Sequence, residues 1–348
     1  MFFYIVLFGL VSLFSFLYSY SKEKIIVFLS KSITFFMLFI PAAIRKDIGT
    51  DYFSYMRMFI DTREYGFNYW KVEYGYYLLI KILQYCFNYQ SIFIVMAFFT
   101  FYFLFKSLNS RKEAIYIIPL FFLLYYTASY NIVRHIFVLT VFLYGYKLFI
   151  NGKIMKAYIV VCISCLFHYS AVLFVIYLLL CRLFRVSYKK SIIYFLIILV
   201  SCYAINIGKI IIELAKFTPY GKYIDTGFNR LTERRTGIGV LLYLLISVVL
   251  LIGIKSKTRN ASNLRIGLII YVFFWGVANQ IMILIRLRIM YMVIFLPAIV
   301  ELKKQDGKGI VQNVRLYIYI CFQLALLLFV FQLLIGQNAV IPYKSIFN

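Results

Sequence analysis

The chain has 348 residues and a formal net charge of +25; 64% of it is apolar, 21% aromatic and 14% charged. Soluble domains run at about 25% charged and about 45–50% apolar residues, so this composition excludes a water-soluble globule. It describes an all-α polytopic membrane protein: apolar stretches close to the ~20 residues that a ~30 Å hydrocarbon layer requires recur from end to end, and the alternation of a membrane β-barrel is missing.

The positive charge does not point to nucleic acid, because the basic residues form short clusters between apolar runs and not one patch. Positive-inside topology explains that pattern. The six cysteines lie in or at the ends of apolar segments, which argues against a disulfide framework or a metal cluster. Cys162-Ile-Ser-Cys165 has a redox spacing without a βαβ context and reads as ordinary buried thiols.

In chain order, the apolar stretch 2–20 has no basic segment before it and no small-residue cleavage site after it, so it is expected to be a retained first helix. A second helix over 25–44 runs through Pro41 to Arg45. If the Lys22-Glu-Lys24 turn is cytoplasmic, Arg45–Glu73 is an outer loop, and it carries five of the twelve acidic residues (Asp47, Asp51, Asp61, Glu64, Glu73). Segment 75–88 is short and contains Lys81 and Gln84; counting it as a span would put Lys106, Arg111 and Lys112 outside. It is therefore expected to be an amphipathic helix on the outer membrane surface.

Helix 91–107 then enters, 113–129 exits and 134–150 returns. Segment 157–181 lies between two basic clusters, and two short half-helices turning at His168-Tyr-Ser170 keep both clusters inside, which predicts a hairpin. Helix 191–207 leads to a second outer loop, 208–237, with Pro219-Tyr-Gly221 and Arg230, Arg234 and Arg235. Helices 238–254, 266–284, 289–300 and 316–335 complete about 10–12 transmembrane helices. No repeat, low-complexity linker or domain boundary is visible, so 1–348 reads as one integral membrane domain with two larger outer loops, 45–90 and 208–237.

This topology collects Arg45, Asp51, Glu73, Arg134, His135, His168, Arg230, Arg234, Arg235, Arg286 and Arg288 at the outer face. Charge at a bilayer is costly and tends to pair or to line a cavity, so the collection suggests a pocket for an anionic, polar ligand. Guanidinium suits phosphate through its planar fork. His168, with Ser170 beside it, could accept a hydroxyl proton as neutral imidazole, or could simply be a packing residue. Asp51 and Glu73 could each instead cap a following helix. Arg134-His135 could be an interfacial anchor, and Arg230, Arg234 and Arg235 headgroup contacts. Arg286 and Arg288 cannot share a helix face, so at most one points into a cavity. The aromatics Tyr52, Tyr55, Tyr65, Tyr69, Trp70, Tyr74, Tyr76 and Tyr77 suit an interfacial belt, with a minority free to stack on sugar rings. The outer carboxylates show no metal-ligand spacing.

Arg45-x-x-x-Gly49-Thr-Asp-Tyr-x-x-Tyr55, Glu73-Tyr-Gly75, Arg134-His135 and Phe167-His-x-Ser170-Ala together resemble the EpsG/Wzy-type polysaccharide polymerases of bacterial inner membranes, and Arg288-x-x-Tyr291 resembles a later family element. The resemblance implies a GT-C-like membrane glycosyltransferase without a cofactor. It would join undecaprenyl-diphosphate-linked oligosaccharide repeats on the periplasmic side to make O-antigen, capsule or exopolysaccharide. Its partners would be the lipid-linked oligosaccharide and the bilayer, with room for a chain-length regulator. On that expectation Arg45, Arg134 and Arg288 hold the donor diphosphate, His168 or Asp51 accepts the acceptor proton, and Glu73, His135, Tyr52, Tyr55 and Ser170 contribute to binding. Transfer would invert the anomeric carbon and need no metal. A transporter or flippase of lipid-linked sugar would also need basic cavities, but inverted repeats with matching broken helices are not visible. A membrane acyltransferase lacks a histidine–carboxylate pair on one helix, and a structural scaffold would not need so many outer arginines.

Overall fold

The computed structural model describes residues 1–70, 72–205, 237–281, 284–306 and 313–347, together with the single positions 207, 210, 213 and 217. Pro219-Tyr-Gly221, Arg230, Arg234 and Arg235 of the expected second loop lie outside the described residues. Among the described residues the chain is helical, without a named strand and with one isolated bridge between Arg45 and Ser345. Where the sequence shows no boundary, the chain forms two compact units, Met1–Leu179 with Phe329–Asn348, and Leu180–Leu328. The joining segments are neither long nor polar, so no linker signal marks the division.

Five helices are individually long and apolar enough to cross a bilayer: Phe2–Tyr20, Lys24–Ala43, Val133–Ile150, Arg259–Ala278 and Val314–Leu334. The pair Gln90–Lys106 and Arg111–Tyr126, bent by 113°, qualifies as a broken element, and Ile154–Ser164, Tyr169–Leu183 and Ile238–Gly253 are shorter apolar helices. The chain is thus a multi-pass membrane protein.

In the first unit, α1 (Phe2–Tyr20) buries the stripe Tyr4, Leu7, Val11, Ser15, Ser19 and exposes Ile5, Leu10, Leu13 and Phe16. Its hydroxyls turn inward and its apolar side chains outward, the inverse of a soluble amphipathic helix and the arrangement that lipid favours. Helix α2 (Lys24–Ala43) carries Pro41 in its last turn, where the missing N–H and the clash with the preceding turn end the helix shortly afterwards.

The segment expected as a loop from Arg45 to Glu73 is largely helical: α3 (Tyr52–Tyr65) and the single turn α4 (Phe67–Trp70) precede α5 (Tyr74–Gln84). Helix α3 mixes Arg57, Asp61, Arg63 and Glu64 with a buried stripe of Tyr52, Tyr55, Phe59 and Thr62, and its charges obscured the 3.6-residue period in the sequence. At 11 residues α5 is too short to cross a bilayer, as expected for 75–88. It buries Tyr76, Ile80 and Leu83, and Lys81 Nζ donates to Thr62 O of α3 at 2.9 Å.

Contacts fix the two ends of this unit. At one end, Tyr4 donates to Val340 O (3.0 Å), Ile346 N to Ile44 O (2.9 Å) and Gln90 Nε2 to Ala43 O (2.6 Å). At the other, Ser19 Oγ donates to Arg111 O (3.0 Å), Lys147 Nζ to Lys106 O (2.9 Å) and Asn151 Nδ2 to Asn109 Oδ1 (2.8 Å). The chain therefore leaves the Arg45 end on α6 (Gln90–Lys106), turns at Lys106–Arg111, and returns through α7 (Ala114–Phe121), a π turn and a 3-10 turn to Asn131, where Asn131 Oδ1 accepts from Thr50 N at 2.6 Å. Helix α8 (Val133–Ile150) then runs to the Lys147 end.

Segment 157–181 is a hairpin, as its charges required. Helix α9 (Ile154–Ser164) climbs antiparallel to α8: Val161 lies against Gly145, Phe167 against Phe137 (centroids 5.1 Å) and His168 against His135 (5.1 Å). The chain turns through Tyr169–Ala171, and α10 (Val172–Leu183) descends, with Phe174 stacked on Phe142 at 4.0 Å and Tyr177 against Tyr146 at 6.1 Å. The apex holds His168-Tyr-Ser170.

The second unit contains α11 (Tyr188–Ala204), α12 (Ile238–Gly253), α13 (Arg259–Ala278), α14 (Ile285–Tyr291), α15 (Phe295–Lys303) and most of α16 (Val314–Leu334). Thr258 caps α13 by accepting from Ala261 N at 3.1 Å. Buried Arg265 donates to Ile254 O (3.1 Å) and Ser256 O (2.8 Å), just past the end of α12, and to Val186 O (3.0 Å), just before α11. Glu301 accepts from Thr258 Oγ1 (3.0 Å) and Asn260 Nδ2 (2.7 Å), closing a polar knot on the same turn.

Candidate active site

The site begins at a backbone join. Leu166 O, just before the hairpin apex, accepts from Gly75 N (2.8 Å) and Tyr76 N (3.2 Å), two N–H groups in the first turn of α5 that have no partner within the helix. A Cβ at Gly75 would sit 2.8 Å from Leu166 Cβ and 2.9 Å from its oxygen, so only glycine allows the approach. That join is the physical reason for Glu73-Tyr-Gly75, and it sets the residue before α5 beside the residues after Leu166.

Glu73 holds the N-cap position of α5 with an extended backbone, but its carboxylate does not cap the helix. One oxygen pairs with Arg134 in the first turn of α8. The other meets His168 Nδ1 at 2.7 Å and accepts from Tyr169 N at 3.2 Å. Side-chain exposure is 6% for Glu73 and 16% for both Arg134 and His168, so the pairings are nearly enclosed. Burial alone would raise the Glu73 carboxyl; the His168 hydrogen bond and the Arg134 charge outweigh it and hold the group down at about 2. Glu73 is therefore a fixed anion, which turns His168 Nδ1 toward it and sets the orientation of the ring.

Arg134 also lies on an aromatic floor, 4.8 Å over the Tyr76 ring and 5.9 Å over that of Tyr55. His135, 3% exposed, backs the His168 ring at an interplanar angle of 60°. Among the described residues, Arg134 Nε and Ser170 Oγ are buried without a hydrogen-bond partner. Enclosed polar atoms without a protein partner are available to a ligand.

The other residues singled out in the sequence divide. Arg45 is 1% exposed: its guanidinium donates to Ala42 O and to Tyr130 O (3.3 Å) and lies 4.3 Å over Phe93. Burial lowers it to about 10, still cationic at neutral pH. Tyr52, 1% exposed, stacks on the other participant of that contact, Phe93, at 4.9 Å, and is a core ring, not a surface one. Phe93, Tyr55 and Tyr76 form a connected set of rings with Arg45 on Phe93 and Arg134 on Tyr55 and Tyr76. Arg45 thus supports the wall of the site and is not open to a diphosphate. Asp51 occupies the N-cap of α3 without a side-chain cap bond, its carboxylate 3.3 Å from Thr50 Oγ1.

In the second unit, Arg288 is buried, 4.7 Å over the Tyr243 ring, while Arg286 is exposed, as the rule of one per helix face required. No group of three or more His, Cys, Asp and Glu side chains among the described residues is disposed to hold a metal ion. The Leu166 carbonyl is the part of the site that nothing in the sequence signals, and Tyr76, expected with the interfacial aromatics, is instead fully buried under Arg134. Tyr76 follows Glu73 by one turn on the stripe Tyr76, Ile80, Leu83, which is the signal that could have found it.

The chain is thus a multi-pass helical membrane protein with an enclosed arginine–glutamate–histidine cluster at one end of its first unit. The EpsG family model matches residues 28–345, and the chain belongs to the EpsG family. Membership brings polysaccharide polymerisation by glycosyl transfer as the general activity. No curated protein and no solved structure matches the chain.

Proposed function

We propose that this protein joins undecaprenyl-diphosphate-linked oligosaccharide repeats at the periplasmic face of the inner membrane. The observation that carries the reading is the Glu73 carboxylate bridging Arg134 and His168, with the open atoms Arg134 Nε and Ser170 Oγ beside it. In the reaction, the acceptor sugar hydroxyl attacks the anomeric carbon of the donor from the side opposite the diphosphate. A carbon–oxygen bond forms there, the bond to the diphosphate oxygen breaks with its electron pair, and the carbon is inverted. The hydroxyl proton passes to His168 Nε2, and Glu73 at Nδ1 stabilises the imidazolium that results. Arg134 supplies positive charge where the leaving group gathers negative charge, in surroundings that exclude water. Arg288 is proposed to bind diphosphate on the motif Arg288-x-x-Tyr291 alone.

The test is the size ladder of surface polysaccharide from a strain lacking the gene, complemented with wild-type, His168→Ala or Arg134→Lys chains. His168→Ala keeps the Glu73–Arg134 pair, and Arg134→Lys keeps the charge but loses the guanidinium fork. A single repeat unit in the deletion strain and in both variants, at normal protein level, supports the reading; full ladders from both variants overturn it. Loss of even the single repeat, with precursor held at the inner leaflet, would make the protein a flippase.

A further inference from the structure

On one flank of Glu73 the first unit presents aromatic rings that the chemistry above does not use. Tyr65 and Tyr69, 60% and 59% exposed, stack on each other with centroids 4.8 Å apart. Tyr69 meets Trp70 edge-on at 5.9 Å, and Trp70 is pinned by donating Nε1 to Asp61 Oδ2 at 2.9 Å. Exposed Tyr74, next to Glu73 in the chain, meets Phe67 at 6.0 Å. Lys81, which anchors α5 to α3, lies 5.8 Å over the Tyr77 ring.

An interfacial belt would account for exposed rings, but Tyr65 ends a polar helix and Tyr69 and Trp70 lie on the turn that follows it. Helix α3 carries Arg57, Asp61, Arg63 and Glu64 in 14 residues, and the carboxylates of Asp61 and Glu64 flank Trp70 and Tyr65. Anionic headgroups are repelled by carboxylates. Sugars match both components, because their C–H faces pack on aromatic planes while their hydroxyls donate to carboxylates. Two residues separate Trp70 from Glu73 in the chain, and Tyr74, directly after Glu73, meets Phe67 of α4 at 6.0 Å, so the rings adjoin the reacting centre.

We infer that Tyr65, Tyr69, Trp70 and Asp61 form a saccharide subsite that holds pyranose rings of the lipid-linked chain during transfer. The inference rests on the polymerase reading and adds where the sugar lies.

The chain has two tryptophans, Trp70 and Trp275, so intrinsic fluorescence can report on Trp70. Full-length protein in nanodiscs would be titrated with oligosaccharides released by partial acid hydrolysis of the polymer that its strain makes. A saturable fluorescence change is expected, absent in Trp70→Phe and shifted to about tenfold weaker affinity in Tyr69→Ala, equivalent to about 1.4 kcal/mol. In cells, Tyr65→Ala/Tyr69→Ala should shorten the modal ladder without reducing it to one repeat. No saturable change, with Trp70 quenched by brominated lipid instead, would overturn the subsite in favour of a bilayer belt, and so would a wild-type ladder from the double variant. Either result leaves the polymerase reading standing, because that reading fails only if the His168→Ala and Arg134→Lys chains make full ladders.

Discussion

Replacing Glu73 with glutamine keeps the shape of the side chain and removes its charge, which tests the site at its centre. The carboxyl is held at about 2 in place of its ordinary 4.5. At about 1.36 kcal/mol per pH unit, that depression corresponds to about 3 kcal/mol favouring the ionised form in the folded protein. An independent route gives the same size: breaking a buried ion pair by removing one partner costs about 3–5 kcal/mol, and Arg134, at 16% side-chain exposure, belongs near the lower limit. Glu73→Gln should therefore lower stability by about 3 kcal/mol, a fall in melting temperature on the order of 5 °C. Catalysis should suffer more. His168 would lose the anion that fixes its ring and supports its protonated form, and general acid–base catalysis is worth about 10²–10⁴-fold in rate. Thermal unfolding in detergent, followed by size-exclusion fluorescence, reads the first effect, and the polysaccharide ladder of a complemented deletion strain reads the second. A Glu73→Gln chain with wild-type melting temperature and a wild-type ladder would refute the bridge as the organising contact of the site.

The same carboxylate sets a pH dependence. Its lowered value means that its stabilisation is complete above its ordinary 4.5 and is lost as pH falls through about 2, so wild-type stability should decline over that window and Glu73→Gln should lack that part of the slope in acid-melting curves. Arg45→Ala should lower folded protein, because it strips the Ala42 and Tyr130 carbonyls of their donor at about 1–3 kcal/mol for each group left unpaired; normal protein with no ladder would instead give Arg45 a direct role in binding. Gly49→Ala should cost at least about 1–3 kcal/mol in a thermal melt, since Gly49 has φ +99° and a Cβ there would meet Asn131 Oδ1 and Tyr130 O at 2.6 Å; an unchanged melting temperature would show that the loop can relax.

Helix order and the hairpin at 157–181 were legible because apolar length and the placement of Lys and Arg are local properties of the chain. The helix Tyr52–Tyr65 was not, since its four charges interrupt the apolar period. For the site, the motif residues Glu73, Arg134 and His168 were found but not their pairing: glutamate reads as a helix cap in sequence, yet in the structure its partners are 61 and 95 residues away. Arg45 shows the converse. A conspicuous charge beside a glycine turn suggested a ligand contact, and packing turned it inward on Phe93 and two carbonyls.

The sequence by itself determined that this chain lives in a membrane and roughly where its helices begin and end, because the transfer of side chains from water to hydrocarbon depends on composition and position along the chain. Only the tertiary structure decided which charges meet. A buried ionic group must find its counter-charge or a carbonyl wherever packing delivers one, and here a single glycine at position 75 admits Leu166 closely enough to bring Glu73 to His168 and Arg134.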